Sequence, residues 1–358
     1  MEQRKLGTAI KIIKDKNKNQ HSYRAFSISN IKGFIAQDEQ FGKDNTYSKT
    51  DKSTNYIVKP GMFAYNPARI NVGSIAYQNQ TEPVLVSSLY EIFQTNSKID
   101  DSFLMNWFKT SLFNRQIKRL EEGGVRQYFF IDKMKETEIK LPSISEQNQI
   151  SKLLQLVNKN LDLQQRKLES FQFTYHEIIR RLFLKKAKWQ QTKLSDLVTI
   201  LDKNRKPVKK EDRLFGDTPY YGANGIQDYI SGFTHKGEFI LIAEDGANSL
   251  TEYPIYFVKG QIWVNNHAHV LKVNKDVSPL FLALALKQIN YSKYTVGSSR
   301  NKLNLKDLEN IAIFIPDNNE QQKIGQFYSN YLNYLRINKK RIQYMKQFKQ
   351  FLLQNMFI

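Results

Sequence analysis

Three features of the sequence predict a mixed α+β protein built as two copies of one module. The first is a repeat at an offset of 174 residues, in which LPSISEQNQI at 141–150 returns as IPDNNEQQKI at 315–324. The second is a long coiled-coil-like segment beginning at each of those points. The third is a run of strand-like segments, punctuated by turns, ahead of each helix. Two mixed globular domains, 1–141 and 189–315, are therefore expected, each followed by a long helix, 142–188 and 316–358. The two helices are expected to pair antiparallel as a coiled coil about a pseudo-twofold axis.

The helices are read from apolar spacing. Pro142 ends a strand-like segment, Ser143 or Ser145 can cap the helix that begins there, and Glu146 stands in its first turn. Ile150, Leu154, Val157, Leu161, Gln164, Leu168, Phe171, Tyr175, Ile178 and Leu182 then advance by alternating steps of four and three, the period of a coiled-coil seam. The second copy keeps the phase with Ile324, Tyr328, Tyr331, Leu335, Asn338, Ile342, Met345, Lys349, Leu352 and Met356. Each helix should run about 40 residues, or ~57 Å at ~1.5 Å per residue. Gln164 and Asn338 are polar on these seams and fall at equivalent positions. A buried amide pair there would penalise slipped registers; the other reading turns one or both to solvent. Phe173, Phe348 and Phe351 lie off the seams, where they either await a partner or pack on the globular domains.

In the second domain, strands are expected at 239–246, 253–260, 261–266 and 268–273, then a helix at 279–289 opened by Pro279. The first domain parallels it loosely, with strands at 55–61, 74–78 and 84–93 and a helix at 101–112. EQRKLG at 2–7 echoes QQTKLS at 190–195 and marks where each module starts.

Charge narrows the function. The chain of 358 residues carries 54 Lys+Arg against 34 Asp+Glu, a net +20, which most simply complements phosphate, although an anionic membrane surface would also attract it. No apolar run approaches the ~18 residues of a membrane span, and MEQRK does not lead into a signal-peptide core. There is no cysteine, which removes disulfides, thiolate zinc sites and a Cys nucleophile. A soluble, cytoplasmic, nucleic-acid-binding protein is the expectation.

Candidate DNA contacts follow from residue chemistry. Lys203, Arg205 and Lys206 open a cationic loop, KNRKPVKK, suited to phosphate contact or to plain solvation. In PYYGANGI, Tyr221 precedes a turn carrying Asn224, which could pair bidentately with adenine or simply build an Asn-Gly turn. Asn248 lies in the turn after FILIAEDG. Ser299, Arg300 and Lys302 lie in GSSRNKLNLKDL, and Arg126 is the first-copy equivalent of Arg300. Small residues beside these two arginines suit an anion or guanine contact; a salt bridge tying domain to helix is the alternative. Asn66 and Arg69 offer a comparable turn in the first domain.

Catalysis is not expected. His267 and His269 have metal-site spacing, but no third ligand is evident, and DNA-facing or structural histidines are the preferred reading. Glu244-Asp245-Gly246 reads as an acidic turn. PDNNEQQK at 316–323 superficially resembles a nuclease proline–acid–lysine pattern, but its first-copy equivalent lacks the acid and the lysine, so it is a helix start. Nucleotide loops of the G-x-G-x-x-G and G-x-x-x-x-G-K-[ST] kinds are missing, and Asn66-Pro67-Ala68-Arg69 lacks the second proline and aromatic of amino-methyltransferases.

Two divergent basic domains, each followed by a helix entered through P-x(3)-EQ-x(2)-I, resemble the DNA-specificity subunit of type I restriction–modification systems. PYYGANGI, NNHAHVL and GSSRNKLNLKDL also look like target-recognition segments of that family. The resemblance covers essentially the whole chain. It implies two target-recognition domains, each reading half of a bipartite site in double-stranded DNA, with the helices as spacer. It further implies two methyltransferase subunits docked on the helices and supplying S-adenosylmethionine, and a motor–nuclease restriction subunit using ATP and Mg. This chain would itself bind no cofactor or metal and be non-catalytic. A stand-alone nucleic-acid-binding protein is the alternative. Met1 aligns with Trp189 of the second copy, where family members usually carry some sequence ahead, so either the start is shortened or the first domain and helices close unaided.

Overall fold

The computed structural model describes residues 2–41, 52–122, 127–184, 189–297 and 301–357. The chain forms two units, Met1–Gln164 with Arg341–Ile358, and Gln165–Lys340. The boundary falls inside both long helices, Ile144–Leu184 and Asn318–Asn355, so each unit holds part of each. No helix among the described residues is long and apolar enough to cross a membrane.

In the first unit a four-stranded antiparallel sheet runs in the order Ile10–Ile13, Glu91–Thr95, Phe63–Tyr65, Ile75–Tyr77. Alternation along the strands divides its side chains between two cores. Phe63, Tyr65 and Phe93 face the helices Asp101–Trp107 and Ser111–Leu120, while Ala64, Ala76 and Ile92 face Phe26, Ile28, Val58, Val84 and Val86. The expected strand at 84–93 is two strands, Val84–Val86 and Glu91–Thr95, serving different sheets. The expected helix at 101–112 also breaks. Asp100 caps its first part, and Thr110 starts another helix by accepting a hydrogen bond from the Phe113 N–H.

In the second unit six strands lie in the order Val198–Ile200, Ala268–Val273, His235–Ala243, Ile255–Val264, Phe215–Gly222, Gly225–Ile230. Ile240, Ile242, Ile255 and Leu271 pack against the helix Pro279–Leu286. Phe281 to Leu286 are all buried, so this helix is apolar all round and enclosed. The turn expected near residue 260 is absent, because Ile255–Val264 is one strand. Gly260 (φ +104°) pairs with Gly237 (φ +144°), and two facing glycines let the ladder bend without ending. The bend is sharp: His235 and Phe239, four residues apart on one strand, bring their rings to 5.6 Å.

The repeat positions have distinct physical roles. The echoing segments Glu2–Lys5 and Gln190–Lys193 each pair antiparallel with the strand before the repeat proline, Glu138–Leu141 and Ala312–Ile315. Ser143 Oγ accepts the Glu146 N–H, and Glu146 Oε2 accepts the Ser143 N–H, a reciprocal cap that selects Ser143 over Ser145. Asp317 takes the same role toward the Glu320 N–H.

Within the second unit the two long helices run antiparallel. Phe171 meets Tyr334 at 4.0 Å, and Tyr175 stacks on Tyr331 at 3.3 Å and on Phe327 at 5.5 Å. The seam residues Leu168, Tyr175, Ile324, Tyr328 and Tyr331 are buried as expected, but Ile178 is exposed and Ile179 and Phe183 are buried in its place. Past Tyr175 the spacing becomes four and four, because the last turns pack against Trp189 and Phe281 of the globular domain instead of following the partner helix. Asn338 is half-buried and donates to the Tyr334 carbonyl within its own helix, at 2.9 Å; Gln164 is half-buried.

Candidate nucleic-acid interface

Hydrogen bonds between loops of the second domain join several of them into one surface. Asn224, at the hairpin tip, donates from Nδ2 to the Gly246 carbonyl (2.9 Å) and accepts the Asn248 N–H at Oδ1 (3.0 Å). Gly246 donates its N–H to the Asn301 carbonyl, and Leu303 donates to the Glu244 carbonyl. The Asn265 N–H reaches the Tyr221 carbonyl, and the Lys206 N–H reaches that of Val264. Trp263 Nε1 donates to the Lys206 carbonyl at 2.7 Å. Five separate stretches of sequence, near residues 205, 224, 246, 266 and 302, are thereby fastened together.

The candidates from these stretches occupy different depths. Lys203, Lys206, Asn224, Asn248 and Lys302 are exposed, whereas His267 and Tyr221 are half-buried. Asn224, read from the sequence as either an adenine contact or part of an Asn-Gly turn, is exposed and holds the neighbouring loop with both ends of its amide. Asn204 and Asn266, which lie within KNRKPVKK and NNHAHVL but were not singled out there, are exposed on the same surface. Ser299 and Arg300 lie outside the described residues, as does Arg126.

Arg205 departs furthest from the expected phosphate contact. Its Nη1 lies 2.5 Å from Glu244 Oε2 and 3.0 Å from the Ala268 carbonyl, and its Nη2 lies 3.4 Å from Asp202. His269 completes the cluster, with Nδ1 2.5 Å from Asp202 and Nε2 2.9 Å from the Leu303 carbonyl. Its two ring nitrogens are thus both engaged, one by a carboxylate and one by a backbone carbonyl. Asp202, Glu244 and His269 have the composition and proximity of a metal-ligand set, one that includes His269 but not His267. The guanidinium of Arg205 already supplies the cation to both carboxylates, however, and the residues do not fit an added metal ion. Burial alone would raise the Asp202 carboxyl; His269, the Val270 N–H and Arg205 outweigh it and hold the group below its ordinary value.

A neighbouring histidine makes this surface sensitive to acid. His235 is buried with Nε2 3.2 Å from the Leu201 carbonyl, and burial lowers its pKa below the ordinary 6.5. The folded chain then holds fewer protons than the unfolded one, so stability declines as pH falls below about 6.5. Thermal melts between pH 8 and pH 5 should show this decline, and His235→Gln should flatten it.

The first domain is built comparably. Asn66 and Arg69 follow the strand Phe63–Tyr65, as residues 244–248 follow His235–Ala243. Asn66 Oδ1 accepts the Ala68 N–H at 3.0 Å, and Arg69 is exposed. The Pro67 carbonyl accepts the Phe129 N–H, which ties this turn to the chain just past residue 126. Beside the turn lies a cleft of about 710 Å³, lined among others by Asn30, Lys32, Asn71, Gln80, Lys109 and Asn114. Amides and lysines are the side chains that read base edges and hold phosphates. They come from three distant stretches, so no local motif could have assembled them.

Two sheet domains of one design, each displaying lysines and amides from clustered loops and each seated on a long helix, define a duplicated nucleic-acid-recognition protein. The chain belongs to the family of type I restriction modification DNA specificity domains, which it matches twice, over residues 5–171 and 186–347. A protein of Haemophilus influenzae, provisionally named type I restriction enzyme specificity subunit S.HindORF215P, is 44% identical over 131 residues, 37% of this chain and 34% of that one. The MjaVIII specificity subunit of Methanocaldococcus jannaschii is 24% identical over 180 residues, 47% of this chain and 42% of the relative. These matches thus span less than half the length of either relative. In fold, the type I restriction–modification S subunit from M. genitalium covers all of this chain at a TM-score of 0.67, with 96% of its own length covered and 16% identity. The HsdS subunit from Thermoanaerobacter tengcongensis covers 98% at a TM-score of 0.53, with 95% of its own length covered and 13% identity.

Proposed function

We propose that this chain is the specificity subunit of a type I restriction–modification complex, each domain reading one half of a bipartite, asymmetric site in double-stranded DNA. The observation that carries this is the convergence of Lys203, Lys206, Asn248 and Lys302 on one exposed loop surface, in a family defined by DNA specificity. Lysines at its rim would hold phosphates, and amides would meet base edges in a groove. Arg69 and the amide-lined cleft would do the same for the other half-site.

The long helices would set the spacer and dock two methyltransferase subunits. Supporting this is a second apolar series on the outer side of both helices. Leu153, Leu156 and Leu163 on one, and Tyr344, Phe348 and Phe351 on the other, keep three- and four-residue or heptad spacing and are all exposed. Such a series suits partner helices. S-adenosylmethionine would be held by the methyltransferase, and ATP and Mg by a motor–nuclease subunit, leaving this chain non-catalytic.

Co-expression with a methyltransferase encoded beside it, followed by single-molecule methylome sequencing, tests the reading. The expected result is a bipartite methylated motif that disappears when this chain is omitted. Salt-dependent DNA binding with no motif would instead indicate a stand-alone binder.

A further inference from the structure

Two glutamines at equivalent places in the repeat do the same work in the two domains. Gln147 and Gln321 sit in the first turn of the long helices and are buried, at 1% and 4% exposure. Gln147 Oε1 accepts the N–H of Asp100 at 2.8 Å, and its Nε2 donates to the carbonyls of Lys98 (3.1 Å) and Pro142 (3.0 Å). Gln321 Oε1 accepts the N–H of Ser278 at 3.0 Å, and its Nε2 donates to the Pro316 carbonyl at 3.0 Å. Asp100 and Ser278 are themselves equivalent, each capping the short helix of its globular domain.

One turn further along each long helix, the next position meets the same cap residue. Ser151 donates from Oγ to Asp100 Oδ1 at 2.8 Å. Its equivalent is Gly325, where an added Cβ would lie 2.8 Å from Ser278 Oγ. Each short helix also meets the repeat phenylalanine. Phe103 lies 4.8 Å from Phe357, and Phe281 lies 6.2 Å from Phe183. Each short helix is thus gripped at its cap by the start of one long helix and on its flank by the end of the other.

An aliphatic side chain could fill the glutamine's volume but could neither accept nor donate, whereas the amide does both at once and so fixes direction. That the same bonds recur in two domains with divergent loops separates this latch from the surfaces that differ between targets. We propose that Gln147 and Gln321 are positioning residues that set the angle of each recognition domain on its helix, and through it the spacer length the protein accepts. The proposal rests on the bipartite reading of the chain's function.

The test uses the full chain with its methyltransferase and reads the methylome. The wild-type chain is read first, because a methylome with no bipartite motif would overturn the underlying reading and not the latch. Given one motif with one spacer, Gln147→Met with Gln321→Met should keep the half-site sequences. It should raise methylation at spacers one base pair longer or shorter by at least tenfold. A lesion that merely weakened the fold would lower methylation without broadening the spacer. Should the double variant methylate nothing, each single variant leaves one latch intact and should show the same broadening. A single spacer in the variants, or no methylation by any of the three, overturns the proposal.

Discussion

Replacing Arg205 by alanine is expected to destabilise the second unit by about 3 kcal/mol, in the range for breaking a largely buried ion pair from one side. Asp202 and Glu244, whose side chains are only 14% and 19% exposed, would lose their shared cation, and the Ala268 carbonyl would lose a donor. Lys206→Ala, one residue away and exposed, should leave stability within about 0.5 kcal/mol. The two differ in the opposite sense toward DNA. Removing Lys203, Lys206 and Lys302 together should reduce the slope of log affinity against log salt by roughly 0.9 per lysine. Urea denaturation and salt-dependent binding to duplex DNA measure the two effects. Equal destabilisation by Arg205→Ala and Lys206→Ala would show that the cluster does not hold the loop.

Charging the outer series of the long helices should be as costly to assembly as the loss of Arg205 is to stability. Leu156→Glu with Phe348→Glu would place two carboxylates where partner helices are expected to bury apolar side chains. With about 2 kcal/mol or more at each central position, the loss is on the order of 4 kcal/mol, roughly a thousandfold in affinity for the methyltransferase. Both positions are exposed, so the melting temperature of this chain should hardly change. Co-purification with the methyltransferase gives the readout. Undiminished complex formation would place the docking surface elsewhere.

The helices were legible because their signal is local and repeated. A 3.5-residue apolar period and a capped start are written into consecutive residues, and the seam through Leu168 and Tyr175 is buried as its spacing requires. Ile178 shows the limit. Periodicity finds which stripe is apolar, but which residue of the last turns is covered depends on Trp189 and Phe281. Strand ends were less legible for a related reason. Gly260 reads as a turn in sequence and becomes a bend within one strand because Gly237, 23 residues earlier, stands opposite it.

Composition, the 174-residue repeat and the helix period by themselves determined a basic, duplicated, mixed α+β protein with paired helices. Those properties depend on residue type and short-range spacing, which a sequence carries directly. Only the tertiary structure decided what each polar residue does. Arg205 and Lys206 are adjacent cations, yet one neutralises Asp202 and Glu244 while the other points to solvent. Asn224 reads in sequence as either a base contact or a turn residue, and folding gives it a tie between loops; Gln147 and Gln321 look like ordinary helix-start residues and grip the neighbouring domains. The reason is that a hydrogen bond or ion pair is settled by which acceptor lies within about 3 Å, and folding brings those acceptors from tens of residues away.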